Sequence, residues 1–417
     1  MHGGEHPIRM STPTPSRQAG PRAQPGDMRQ MVAIFLCGSL AFVDMYCTQP
    51  LLPLLAQIFH ASEGRVSLTI SASTLGVAIS AILLAFYGQR LNRKRTIVAS
   101  ILALAACSLL TATATSLPVL AVWRLLQGLV TPGIFIITIA YVTEEWPAIQ
   151  VPQMMSIYVA GTVFGGFVGR IAGGILGERF GWRAVFVVLG LVGVGGGLLI
   201  RHLLRPAQAG RISSAAPHPV ERALANFKNP RLLATFAIGF CMLFTLVSIF
   251  SYVTFYLALP PFGLSTTQLS WLFTVYLFGL VATLAVGPWL PRIGLRTAML
   301  WAIATGVVGA LLTMSHRLVL VAAGLALVGA CVFVAQTCAN SFLRDASTAD
   351  GRVSAAGMYI CCYYVGGTAG GLLPAPVWAR FGWPGCALLT CVLLLAAGAA
   401  TVVGWKARHA VAEPIPV

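Results

Sequence analysis

The chain has 417 residues, 57% hydrophobic and only 9% charged, with 43 glycines and a formal net charge of +16. Soluble domains carry about 25% charged residues, so a soluble catalytic domain is excluded as the body of this chain. The cations stand in short stretches between long apolar runs, a pattern of membrane topology and anionic-lipid contact, not of a nucleic-acid footprint.

Residues 1–29 are rich in Pro, Gly, Ser, Arg and His and cannot build a core. They carry no signal-peptide pattern and are expected to form a disordered cytoplasmic tail, with Met10 and Met28 as alternative starts. Twelve apolar segments follow, at about 30–58, 66–88, 96–114, 117–142, 153–177 and 182–203, then 230–257, 266–290, 296–314, 318–342, 354–378 and 384–405. Each is near the length of about 20 residues that crosses a bilayer as a helix. The reading is an all-α membrane protein of twelve transmembrane helices in two pseudo-symmetric six-helix bundles, 30–203 and 230–405. A basic, Ala/Pro/Ser-rich cytoplasmic linker at 204–229 joins them, and 406–417 forms a second cytoplasmic tail.

Orientation follows from Lys and Arg. With the N-terminus in the cytoplasm, 20 of them fall on that side and five (Arg65, Arg179, Arg183, Arg317, Arg380) on the other. That asymmetry places both termini inside.

The halves repeat. Gly161, Gly165, Gly169 and Gly173 form one stripe on a helix, widened by Gly166 and Gly174, and Gly366, Gly367 and Gly370 follow 201 positions after Gly165, Gly166 and Gly169. Arg-Phe-Gly-Trp at 179–182 returns at 380–383, and Gly128 matches Gly329 at the same offset. Small-xxx-small spacing lets helix backbones touch in lipid. The stripe is read as a moving contact between the halves, against plain helix packing. Duplicated halves are the plan of many secondary carriers, with substrate held between them.

Of eleven acidic residues only Asp44 lies well inside a span, about 14 residues from each end. An ionised carboxylate alone there costs several kcal/mol, so Asp44 is protonated or faces water or a cation. Proton coupling is the expectation, with helix–helix hydrogen bonding and direct substrate contact as alternatives. Arg124 and Arg170 stand about seven residues, roughly 10 Å, inside the outer helix ends. Snorkelling is the alternative for Arg124, helix bracing for Arg170. Two such cations against one acid favour anionic cargo. Tyr46, Phe135, Tyr158, Phe244, Tyr252, Trp271, Tyr276, Tyr359 and Tyr363 are candidates for an aromatic cavity wall, with Gln49, Gln127, Gln336 and Asn340 as polar contacts. All seven histidines lie in tails, loops or span ends, and the ten cysteines lack metal-ligand spacing. No P-loop, metalloprotease motif or nucleophile elbow is present, so the chain is not read as an enzyme.

Three stretches carry a family resemblance. Leu91-Asn92-Arg93-Lys94-Arg95 follows span two, Arg124-Leu125-Leu126-Gln127-Gly128 lies in span four, and Gly161–Gly174 in span five. Together they resemble the loop, R-x-x-Q-G and antiporter motifs of the major facilitator superfamily, in its twelve-span drug:proton antiporter branch. The Tyr46–Pro53 run with Gly169-Arg170 is similar to a bacterial subgroup of sugar or drug efflux permeases. The resemblance implies an inner-membrane monomer that exports a small molecule such as a drug or sugar. It is powered by the proton gradient with no bound cofactor; Asp44 and Arg124 couple protons, and Arg124 is buried near span one. Uptake or exchange of an organic anion is the alternative. Gln89 stands where the loop motif has Asp, which weakens a charged latch; Arg90 neighbours it, Arg93 keeps its motif position, and Glu144 or Glu145 matches its acidic partner. Arg170 replaces the proline expected after Gly169.

Overall fold

A computed structural model describes residues 28–87, 91–206, 226–347 and 352–405. Gln89 and Arg90, both expected tails apart from residues 28 and 29, and most of the expected linker lie outside the described residues. Long helices occur in chain order as α1 Met28–Ile58, α2 Glu63–Ala85, α3 Arg93–Thr111, α4 Leu117–Glu145, α5 Val151–Phe180 and α6 Trp182–Leu203. The second set is α7 Pro230–Ala258, α8 Thr266–Trp289, α9 Leu295–Leu312, α10 Leu318–Ala346, α11 Arg352–Leu372 and α12 Pro374–Gly404. Eleven are long and apolar enough to cross a membrane; α11, diluted by tyrosines and glycines, falls short by composition but packs between α2 and α7. No strand occurs among the described residues. Odd-to-even turns lie at one end of the bundle, the far end; even-to-odd turns lie at the other, the terminal end.

Several helices are interrupted, most of them at prolines or glycines. Pro50 and Pro53 cannot donate backbone bonds, and α1 passes through a turn at Cys47–Thr48 and a 3-10 stretch at Gln49–Leu51. Pro132 interrupts α4 after Thr131. In α8, 3-10 stretches occupy Phe273–Val275 and Gly287–Trp289. The repeated Arg-Phe-Gly-Trp segment is a corner in both halves: Gly181 (φ 84°) turns α5 into α6, and Gly382 (φ 60°) kinks α12 into a short first arm and a long second one. Both positions need the left-handed region that glycine enters without strain.

The glycine stripe packs inside the first half, not between halves, which corrects the expected moving contact. A Cβ on Gly161, Gly165, Gly169 or Gly173 would run into the carbonyl oxygens of Phe35, Ser39, Val43 and Cys47, one turn of α1 after another. The physical reason is that flush backbones give tight dispersion contact, which suits a fixed pair of helices. The same device recurs in the second half: Gly366 abuts Phe240 and Gly370 abuts Phe244, each partner again 201 positions on from Ser39 and Val43. Of the glycines in the stripe, Gly174 alone meets the other half, against Ser270 and Thr266 of α8.

Two seams join the halves, α2 with α11 and α5 with α8. Along the first, Ser71 Oγ donates to the Thr368 carbonyl (3.0 Å), the Thr74 and Thr368 hydroxyls lie 3.1 Å apart, and Gly371 faces Ser71. At the far end of the second, the Thr267 N–H in the first turn of α8 donates to Glu178 Oε2 at 2.6 Å.

Candidate functional site

Two buried arginines define two polar centres on opposite sides of α1. The first lies within the N-terminal half, among α1, α3 and α4. Asp44 is 4% exposed and Arg124 fully buried. Ser108 Oγ donates to Asp44 Oδ1 at 2.6 Å, and Gln127 Nε2 reaches the same oxygen at 3.3 Å. Arg124 Nη1 stands 3.4 Å from Asp44 Oδ2, and also donates to Gln127 Oε1 (2.8 Å) and to the Asp44 carbonyl (3.1 Å). Its Nη2 donates to the Met45 carbonyl at 2.9 Å. Arg124 therefore holds the last helical carbonyls before α1 breaks, and the Asp44 carboxylate is one of several acceptors it serves. Most of the remaining donors and acceptors of this buried pair are met, which offsets its desolvation, and Arg124 Nε alone is buried without a partner. Ser108 was not among the expected site residues; a serine in a peripheral apolar span gives no pattern that points to Asp44.

The second centre lies between the halves. Arg170 on α5 is 2% exposed and Gln49 on α1 is 1% exposed. Arg170 Nε donates to Gln49 Oε1 at 2.7 Å and Nη1 to the Gly166 carbonyl at 2.8 Å. Its guanidinium carbon is 4.1 Å from the ring centres of both Tyr46 (α1) and Tyr276 (α8), and 5.2 Å from Phe273. A cation clamped between aromatic faces of opposite halves gains electrostatic attraction that desolvation strengthens. Arg170 Nη2, Gln49 Nε2 and the Tyr276 hydroxyl are buried without a hydrogen-bond partner.

An aromatic wall runs on from this centre toward the C-terminal half. Tyr46 neighbours Phe42 (6.0 Å), Phe42 neighbours Phe135 (6.2 Å), and Phe135 neighbours Tyr364 (6.1 Å). Tyr363 packs between Tyr364 and Tyr359, whose hydroxyl donates to Gln336 Oε1 at 3.1 Å. Asn340, one turn beyond Gln336 on α10, is exposed. Phe42, Phe273 and Tyr364 belong to this wall but were not singled out in the sequence, because helix periodicity alone does not say which face meets the other half.

Two expected wall residues, Trp271 and Tyr252, are placed elsewhere. Trp271 is 52% exposed, whereas Tyr276, beyond the 3-10 stretch at Phe273–Val275, is buried. Tyr252 donates its hydroxyl to the Gly371 carbonyl (3.0 Å) and braces α7 on α11. Phe244 and Tyr158 are both buried, and their backbones also carry glycine contacts, Phe244 with Gly370 and the Tyr158 carbonyl 2.6 Å from a Cβ position on Gly38. Gln127 belongs to the Asp44 centre rather than to the wall. At the terminal end Arg93 makes a two-pronged pair with Glu144, Nε to Oε2 at 2.9 Å and Nη2 to Oε1 at 2.7 Å, tying α3 to α4.

A profile of the Major Facilitator Superfamily matches residues 34–260 and 245–416. The chain belongs to this superfamily. Its similarity to the inner membrane transport protein YnfM of Escherichia coli (strain K12) is 29% identity over 381 residues, 90% of each chain. An uncharacterized transporter of Buchnera aphidicola subsp. Schizaphis graminum is 27% identical over 374 residues, 88% of each chain. Among solved structures, a bacterial homolog of the human lysosomal transporter Spinster, inward-facing and occupied, aligns with a TM-score of 0.73 at 16% identity. It covers 90% of this chain and 96% of that one. These findings make the chain a membrane-embedded secondary transporter of the superfamily, not an enzyme.

Proposed function

We propose that this transporter exports a small molecule in exchange for protons by alternating access, with the proton gradient as its energy source and no bound cofactor. It works as a monomer in a bacterial inner membrane with both termini in the cytoplasm, and nucleic acid has no part. The observation that carries the reading is the Asp44–Ser108–Arg124–Gln127 cluster, a single carboxyl group buried at mid-span beside a cation. Protonating Asp44 cancels the charge that Arg124 faces, while Arg124 keeps its grip on the Asp44 and Met45 carbonyls. The change is thereby delivered to the unwound part of α1, which carries Tyr46 and Gln49 into the second centre two and five residues on. The stripe at Gly161–Gly174 resembles the antiporter motif and supports export. For the alternative, organic-anion uptake or exchange through Arg124 and Arg170, both terminal nitrogens of Arg124 are already taken by Asp44, Gln127 and two carbonyls, and its buried Nε alone lacks a partner.

The test is substrate-driven proton movement in proteoliposomes. Asp44→Asn is expected to abolish proton counter-movement while substrate binding persists. Undiminished proton release from the Asn variant removes Asp44 from the coupling role.

A further inference from the structure

Among the described residues, Arg170 presents a charge without a counter-charge. Only Asp44 among the eleven acidic residues lies well inside a span, and it is turned to Arg124 on the other side of α1. Burying a guanidinium is costly unless its donors are met, and buried donors left unmet are rare in folded proteins. Here three such groups gather: Arg170 Nη2, the amide nitrogen of Gln49, whose oxygen already accepts from Arg170, and the hydroxyl of Tyr276, whose ring lies 4.1 Å from the guanidinium. An arginine nitrogen and an amide nitrogen can only donate, and a phenol can donate. What the cluster lacks is an acceptor with at least two oxygens, and the planar fork of arginine matches a carboxylate in two-pronged fashion. The walls add a second requirement. The cluster is roofed by the Tyr46, Tyr276 and Phe273 rings and continues into the Phe42–Phe135–Tyr364 wall, a surface for a flat apolar body.

We infer that Arg170, Gln49 and Tyr276 form the anion-binding end of the cargo site, and that the cargo is an aromatic organic anion carrying a carboxylate. The inference rests on the carrier reading in one respect, that the space between the halves is where cargo binds. It says nothing about protons and needs no functional Asp44.

The test is equilibrium binding by thermal shift on the full-length purified protein, because a ligand of the folded state raises its melting temperature by mass action. The probes are 1-naphthoate, its cationic counterpart trimethyl-(1-naphthyl)ammonium, and formate. The expected result is a concentration-dependent shift with 1-naphthoate only. Arg170→Gln is expected to weaken that binding about tenfold or more, and Arg170→Lys less, since an ammonium keeps the charge but not the fork. Tyr276→Phe removes one oxygen and keeps the ring, so it tests the cradle even if the arginine variants fail to fold; it is expected to weaken 1-naphthoate about threefold or more. An equal shift with the naphthyl cation, or a 1-naphthoate affinity unchanged in Arg170→Gln or Tyr276→Phe, overturns the anion cradle. An equal shift with formate overturns the aromatic requirement. The absence of any shift in the wild type with all three probes overturns the inference as a whole. None of these outcomes touches proton coupling, which the Asp44→Asn vesicle measurement decides by itself.

Discussion

Gly165→Ala is the sharpest probe of how this fold is held together. A Cβ on Gly165 would lie 2.7 Å from Ser39 Cα and nearer still to the Ser39 carbonyl oxygen, all of it backbone. Carbon atoms in contact sit about 3.5–4.0 Å apart, so α1 and α5 must separate by roughly 1 Å at that turn. The neighbouring contacts of Gly161 with Phe35 and Gly169 with Val43 loosen with it. Overpacking of this kind costs about 1–3 kcal/mol. Alanine also returns about 1 kcal/mol of helix propensity, which masks part of the loss. Gly195→Ala removes that ambiguity. Gly195 is exposed on α6, with nothing within 4 Å of its Cβ position, so it gains the propensity and meets no clash. The difference between the two variants isolates the packing cost, expected at about 1–3 kcal/mol with Gly165→Ala the less stable. Thermal or denaturant unfolding of both proteins in the same detergent measures it. Equal stability of the two variants refutes the claim that α5 lies flush on α1.

The two corner tryptophans offer a second comparison: Trp383 Nε1 donates to the Thr313 carbonyl at 2.8 Å, whereas the buried Nε1 of Trp182 has no partner. Trp383→Phe is expected to destabilise by about 1 kcal/mol more than Trp182→Phe, read as melting temperatures; the reverse order contradicts it. Glu144→Gln breaks the pair with Arg93, but Glu144 is nearly half exposed, so the loss is expected to stay within about 1 kcal/mol and to shrink in high salt. A loss that persists undiminished in about 1 M salt argues against an electrostatic origin. Glu178→Gln weakens the carboxylate contact at the start of α8, and hydrogen exchange at the Thr267 amide is expected to quicken several-fold. Unchanged exchange there means the carboxylate does not protect that amide.

Apolar run length made the twelve helices legible in the sequence, and the 201-residue offset made the duplication legible. Interruptions were legible only in part. Pro50 and Pro53 signal the break in α1, but the 3-10 stretch at Phe273–Val275 has no proline or glycine to announce it. The expected span at 354–378 is in fact helix to Leu372, a further helical stretch from Pro374, and a break at Gly382. Asp44 stood out because hydrocarbon makes a carboxylate conspicuous. Its partner Ser108 did not, because which face of α3 meets α1 is set by packing alone. The glycine stripe shows the same limit: its spacing says that another backbone lies flush against it, and cannot say whose. Trp271 and Tyr276, five residues apart on one helix, looked equivalent as aromatics, and rotation about the helix axis separates them.

The two threonine hydroxyls that meet across the seam between α2 and α11 each have somewhere else to go. Thr74 Oγ1 lies 3.1 Å from the Ile70 carbonyl and 3.0 Å from that of Ser71, and Thr368 Oγ1 lies 3.0 Å from the Tyr364 carbonyl, all within their own helices. In the alternating access proposed above, these threonines would fall back on their own backbones as the lobes part and strand no donor in oil. Such a joint unzips and re-forms without water having to enter, which is the property a hinge immersed in lipid requires.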